Sequence, residues 1–90
     1  MEQQVNFNII NTGDKVRFIS DDITITVDNC CLTNGKHLIA NPSSAKAYFV
    51  CCGKQYNVDN TVGAMTVEDW YLNELVPKRQ MLDLLLGMPA

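Results

Sequence analysis

The chain contains no apolar run approaching the roughly 20 residues that a membrane-spanning helix requires, so a membrane is not expected among its partners. Its opening, Met1-Glu2-Gln3-Gln4, lacks the basic start and apolar core of an export signal. The closing Gly87-Met88-Pro89-Ala90 offers no cysteine to a prenyl group. Asn41-Pro42-Ser43 is blocked as a glycosylation acceptor by its proline. Together these absences lead to the expectation of a cytoplasmic protein.

Clustered basic residues are also missing. Lys15, Arg17, Lys36, Lys46, Lys54, Lys78 and Arg79 are spread along a chain whose formal net charge is −3. A surface that tracks phosphates needs Lys and Arg gathered on one face, so nucleic acid is not an expected partner. The acidic residues are scattered too, too sparsely to imitate a nucleic acid. There is no phosphate-cradling glycine loop, dinucleotide fingerprint, zinc-protease motif or nucleophile elbow. The expectation is a protein that is not an enzyme and carries no cofactor.

Cysteine is present, but at a spacing that does not suit a metal. The four cysteines form two adjacent pairs, Cys30-Cys31 and Cys51-Cys52. Structural zinc sites use Cys-x2–4-Cys knuckles that let two thiolates converge, whereas neighbours on a strand point to opposite faces. A mixed site taking one cysteine from each pair plus His37 would still lack a fourth ligand. Cys30, Cys31, His37, Cys51 and Cys52 are therefore the candidate ligands. The expected role of the thiols is that of reduced, mostly buried small hydrophobes. A cysteine with His37 makes a nucleophile and base only with a third orienting group and an oxyanion hole, and the sequence marks neither. His37 follows a turn and is expected in a solvated hairpin position. Asp21-Asp22 reads as a turn, and Glu68-Asp69 as favourable charge at a helix N-terminus.

What the chain does have is alternation. Its 90 residues, 47% of them hydrophobic and 19% charged, leave room for one domain with one core. Val5, Phe7 and Ile9 mark a first strand, Asn11-Thr12-Gly13-Asp14 a turn, and Val16 and Phe18 the returning strand. Ile23, Ile25 and Val27 alternate with Thr24, Thr26 and Asp28 in the clearest strand of the chain. Asn34-Gly35 suits a type I′ turn, which needs positive φ at both central positions. That turn sets Thr33 opposite Lys36, Leu32 opposite His37, Cys31 opposite Leu38 and Cys30 opposite Ile39. A strand from Lys46 to Cys52 contains Tyr48-Phe49-Val50-Cys51-Cys52, a continuous apolar run that predicts burial on both faces. Gly53-Lys54 supplies a tight turn back through Gln55 to Val58, and Asp59 to Ala64 reads as a loop.

The period changes at Thr66-Val67-Glu68-Asp69, which fits a helix-capping box with Thr66 as the cap. Trp70, Tyr71, Leu72, Leu75 and Val76 follow at helical spacing. Pro77 either ends this helix or opens a second one, and Gly87 stands where a C′ glycine terminates it. The fold class is thus α+β: a small antiparallel twisted sheet or partly open barrel of five to six strands within residues 3–58, with one or two C-terminal helices within residues 66–87.

The C-terminal segment carries Met81, Leu82, Leu84, Leu85, Leu86 and Met88. At 100° per residue, Met81, Leu82, Leu85 and Leu86 share a face that can close the open side of the sheet. Leu84 and Met88 are then surplus. With Leu85 and the aromatic pair Trp70 and Tyr71, which suit either a lid on the core or an interface anchor, they are the candidate partner-binding residues. The function these features predict is a small protein-binding module, in size and style like a phage or mobile-element regulator or inhibitor. The alternatives are a metal- or thiol-dependent protein using the cysteine pairs, and a structural homo-oligomer.

Overall fold

The alternating segments become strands with one covered face. The computed structural model describes residues 5–20 and 22–86. The strands run β1 (Asn8–Asn11), β2 (Lys15–Ser20), β3 (Ile23–Asp28), β4 (Cys31–Thr33), β5 (Lys36–Ile39), β6 (Ala45–Cys51), β7 (Lys54–Asp59) and β8 (Met65–Thr66). A helix, α1, follows over residues 67–86. Five strands pair in the order β1-β2-β3-β6-β7 and three in the order β4-β5-β8. Every pairing is antiparallel, so the α+β class expected from the sequence is the one observed. Among the described residues no ladder joins β1 to β7, and the larger sheet is open rather than closed into a barrel.

The strands outnumber the five or six expected. β4 and β8 are three and two residues long, too short to impose a period on the sequence. The chain leaves the larger sheet at Asn29, where φ is +56°. Asparagine tolerates this left-handed conformation better than most residues, and its backbone N–H donates to the Asp14 carbonyl at 3.0 Å.

Register places Ile9, Phe18, Ile25, Ala47 and Val58 in one row across the larger sheet, with Ser20, Ile23, Phe49 and Tyr56 in the next row on the same face. Phe18, Ile23, Ile25, Val27, Ala45, Ala47, Phe49 and Cys51 are buried there. The opposite face carries Arg17, Thr26, Lys46 and Asp59 in register. The run from Tyr48 to Cys52 is therefore not buried on both faces. β6 alternates, and Val50 is exposed, because an antiparallel sheet with a helix on one side leaves the other to solvent.

Two tight turns fix the hairpins. Asn34 and Gly35 have φ of +52° and +76°, and the register Thr33–Lys36, Leu32–His37, Cys31–Leu38 is the one expected. The ladder stops there and does not extend to Cys30. The β6–β7 turn consists of Cys52 and Gly53, with φ of +55° and +79°, and Cys51 pairs with Lys54. It lies one residue earlier than the Gly53-Lys54 turn expected, because a cysteine occupies a left-handed position that turn preferences assign to Asn, Asp or Gly.

Thr66 caps α1 as expected, its hydroxyl accepting from the Asp69 N–H at 3.1 Å. Val67, Trp70, Tyr71 and Leu75 bury one face of the helix. Pro77 neither ends α1 nor divides it. The preceding turn, Tyr71–Leu75, is a π-helix in which the Val76 N–H reaches the Tyr71 carbonyl, five residues back. Proline lacks an N–H and crowds the carbonyl four residues earlier, and the widened turn before it accommodates both. Phe7 packs edge-on against Phe18 and Tyr71, with ring centroids 5.5 and 5.2 Å apart, and Tyr71 Oη donates to Ser20 Oγ at 3.2 Å. Asp21 and the C′ position assigned to Gly87 lie outside the described residues.

Candidate functional site

At 1.5 Å per residue α1 is about 30 Å long. The longest strand it covers, β6, has seven residues and so spans about 23 Å. The helix outruns the sheet. Its first half fills the core, and Val76–Leu86 contributes no buried residue. Met81, Leu84, Leu85 and Leu86 are 59, 67, 68 and 48% exposed. Of the face expected to close the sheet, only Leu82 packs partly against the core, because Trp70 and Leu75 have already closed it. The molecule measures 45 × 31 × 24 Å, with a radius of gyration of 13.4 Å, against about 12 Å for a compact chain of this length.

The aromatic pair belongs to the interior. Trp70 and Tyr71 are 1 and 6% exposed, so both serve as the lid on the core, and Trp70 meets the surface only as lining of the groove beside the helix. Leu84 and Leu85 lie on the overhang, and Met88 lies outside the described residues. Beside the overhang an open groove of about 410 Å³ runs between β7, the loop after it and α1. Val58, Val62, Trp70, Pro77 and Met81 form its apolar lining, and Asp59, Thr61, Asn73, Glu74 and Lys78 its polar lining. Met81 thus connects the groove to the leucines.

Two polar contacts hold the second half of the helix to the sheet. Arg79 Nη2 donates to Asp22 Oδ2 at 2.9 Å, in an exposed ion pair of small energetic weight. The Cys51 thiol donates to Asp83 Oδ1 at 3.1 Å. The bond to the Asp83 carboxylate, aided by desolvation and by Cys52, pushes the Cys51 thiol up from 9.0 to about 12.

The thiols are not uniformly interior. Cys51 is buried, Cys30 half-buried, and Cys31 and Cys52 are exposed. At Cys52 the left-handed backbone folds the side chain back, so its sulfur lies 4.0 Å from that of Cys51. The expectation that adjacent cysteines diverge fails at this pair, because it sits at a strand end and not within one. Cys31 Sγ donates to the Asn29 carbonyl at 3.9 Å. Burial, then the neighbouring Cys31 and Glu68, raises the Cys30 thiol above its ordinary value.

His37 is not the solvated hairpin residue expected. Its backbone N–H donates to Glu68 Oε1 at 3.1 Å, and its Nδ1 lies 2.9 Å from Glu68 Oε2. Its ring meets Phe18 edge-on, with centroids 4.8 Å apart. Glu68 is the kind of orienting carboxylate that a nucleophile–base pair requires. The cysteine hydrogen bonds, however, run to Asn29, Cys52 and Asp83, and none reaches His37 among the described residues. Nor do three or more His, Cys, Asp or Glu side chains among the described residues gather in a way that could hold a metal ion. Asp83 and Glu68, which make the two long-range polar contacts to these thiol and imidazole groups, were not singled out for them by any local sequence signal.

No helix among the described residues is long and apolar enough to cross a membrane. Comparison of the chain with protein-family models, with curated proteins and with solved structures found no match in any of the three.

Proposed function

We propose that this chain is a non-enzymatic protein-binding module that docks through the overhanging end of α1 and the groove beside it. The observation supporting this reading is that Met81, Leu84, Leu85 and Leu86 stand exposed together on a helical segment with no buried residue. Apolar side chains exposed singly need no explanation, but four within six residues, three of them on one helical face, are characteristic of an interaction surface.

Complete burial of one such side chain is worth roughly 1.5–3 kcal/mol. With about half to two thirds of each still outstanding, the four together offer roughly 4–7 kcal/mol before the costs of association. A micromolar complex needs about 8 kcal/mol net. The leucines alone are insufficient, and the mixed apolar and polar groove next to Met81 supplies additional area. The exposed free thiols Cys31 and Cys52 fit a reducing compartment, in keeping with action in the cytoplasm.

The test is a Leu84→Asp/Leu85→Asp variant of the full chain, compared with wild type by native mass spectrometry and by affinity capture from host lysate. Wild type is expected to hold a stoichiometric protein partner that the variant loses, with unchanged far-UV circular dichroism. A structural homo-oligomer would use the same surface, and native mass spectrometry of the purified chain identifies it directly. A wild-type chain that is monomeric and holds no stoichiometric partner refutes the proposal, as does a variant that associates equally well.

A further inference from the structure

The β6–β7 turn carries a second feature, independent of the helix end. Type I′ geometry at Cys52-Gly53 brings the sulfurs of two consecutive residues to 4.0 Å, one buried and one exposed. Two sulfurs bonded at about 2.3 Å to one ion stand about 3.8 Å apart in a tetrahedral arrangement and about 4.6 Å apart in a linear one. At that bond length the observed 4.0 Å corresponds to an S–ion–S angle of about 120°, and a rotation of the exposed Cys52 side chain that moves its sulfur outward by about 0.6 Å reaches the linear arrangement of a two-coordinate ion. A disulfide needs the sulfurs at about 2.05 Å, and it favours Cα atoms at least about 4.4 Å apart. Adjacent residues hold theirs at about 3.8 Å. The pair is therefore better disposed to share an ion than to bond covalently.

We propose that Cys51 and Cys52 form a two-sulfur site for a soft monovalent cation of the copper(I) class. Thiolates select soft ions. Zinc requires four ligands, and no assembly of three or more ligating side chains stands ready among the described residues. Copper(I), with a filled d shell and a preference for sulfur, is satisfied by two thiolates. Exposure of Cys52 provides the route of entry. A site with so few ligands, open on one side, suits pick-up and release of the ion rather than permanent retention.

The step balances without an oxidant. Each S–H bond is replaced by an S–Cu bond, two protons leave, and the metal arrives and stays as copper(I). The Cys52 proton goes to solvent. The Cys51 proton, which the Asp83 carboxylate 3.1 Å away helps to hold on the sulfur, is displaced by the metal and also goes to solvent. With that proton gone, the hydrogen bond from β6 to α1 is lost, so occupancy of the site loosens one of the two contacts on the helix end.

The experiment is anaerobic titration of the reduced full chain with copper(I), in competition with the chelator bathocuproine disulfonate. Cys52→Asn removes the exposed sulfur while keeping a residue that accepts the left-handed turn position, so its fold is preserved. A Cys30→Ser/Cys31→Ser variant controls for the other pair. Wild type and the Cys30/Cys31 variant are expected to retain about one equivalent, and Cys52→Asn to bind at least about ten-fold more weakly. Retention by Cys52→Asn equal to wild type, loss in the Cys30/Cys31 variant, or no retention by wild type overturns the proposal. Leu84→Asp/Leu85→Asp leaves both sulfurs in place, so this result and the docking result stand or fall separately.

Discussion

Leu75→Ala and Leu85→Ala make the same chemical change in one helix, and burial predicts opposite consequences. Leu75, on the buried face of the first half of α1, is fully enclosed, with 0% of its surface exposed. Truncation there removes transfer energy and leaves a cavity, together about 2–5 kcal/mol. A small domain rarely exceeds the lower part of the range of roughly 5–15 kcal/mol, so this substitution removes much of the total. The melting temperature should fall by roughly 12–24 °C if the loss is near 3 kcal/mol.

Leu85 is 68% exposed. About a third of its side chain is covered, worth about 0.5–1 kcal/mol, and alanine's better helix propensity offsets a few tenths of that. The net change should lie within about 0.5 kcal/mol of zero. The assay is urea unfolding followed by far-UV circular dichroism at several protein concentrations, with equal slopes required before the midpoints are compared. A loss above about 1.5 kcal/mol for Leu85→Ala at low concentration would show that the helix end packs within the monomer, refuting the overhang. A penalty that grows with concentration would instead assign the surface to a second copy of the chain.

Thr66→Ala should cost about 1 kcal/mol through loss of the bond to the Asp69 N–H, with Thr66→Ser close to wild type in the same unfolding assay. Asp83→Asn removes the charged acceptor, and the Cys51 thiol should move down from about 12 toward 9.0. Alkylation of Cys51 across the alkaline range reads this directly, and an unchanged profile would remove Asp83 as the cause. The folded thiol is raised above its ordinary value, so its contribution to stability is complete below pH 9.0 and is lost as pH rises toward about 12. Asp83→Asn should flatten that alkaline loss.

The local features of the fold were legible. The period-2 pattern of Ile23, Ile25 and Val27 needs only neighbours to be read, and Asn34-Gly35 states its own turn type and register. Cys52 was not legible as a turn residue because nothing in a cysteine's chemistry marks it for left-handed backbone. The contacts His37–Glu68 and Cys51–Asp83 join residues 31 and 32 positions apart, and they depend on how the helix lies on the sheet. The same holds for Trp70, whose composition suits a lid and an anchor equally. The leucine-rich end has the spacing of a buried helix, and only the mismatch between helix and strand length decides that it is bare.

That mismatch also divides α1 into segments of unequal persistence. Amides from Tyr71 to Leu75 are tied to the core by Trp70, Tyr71 and Leu75, so their exchange with solvent hydrogen is expected to need a free energy close to that of opening the whole domain. Amides from Val76 to Leu86 rest on an ion pair, a thiol–carboxylate bond and the half-buried Val76 and Leu82, and local unwinding releases them at lower free energy. An isolated helical segment this short is marginal in water, and it persists here because the anchored turns before it have already borne the nucleation step. A partner meeting that segment therefore has to hold it wound, which lowers the net affinity and quickens release.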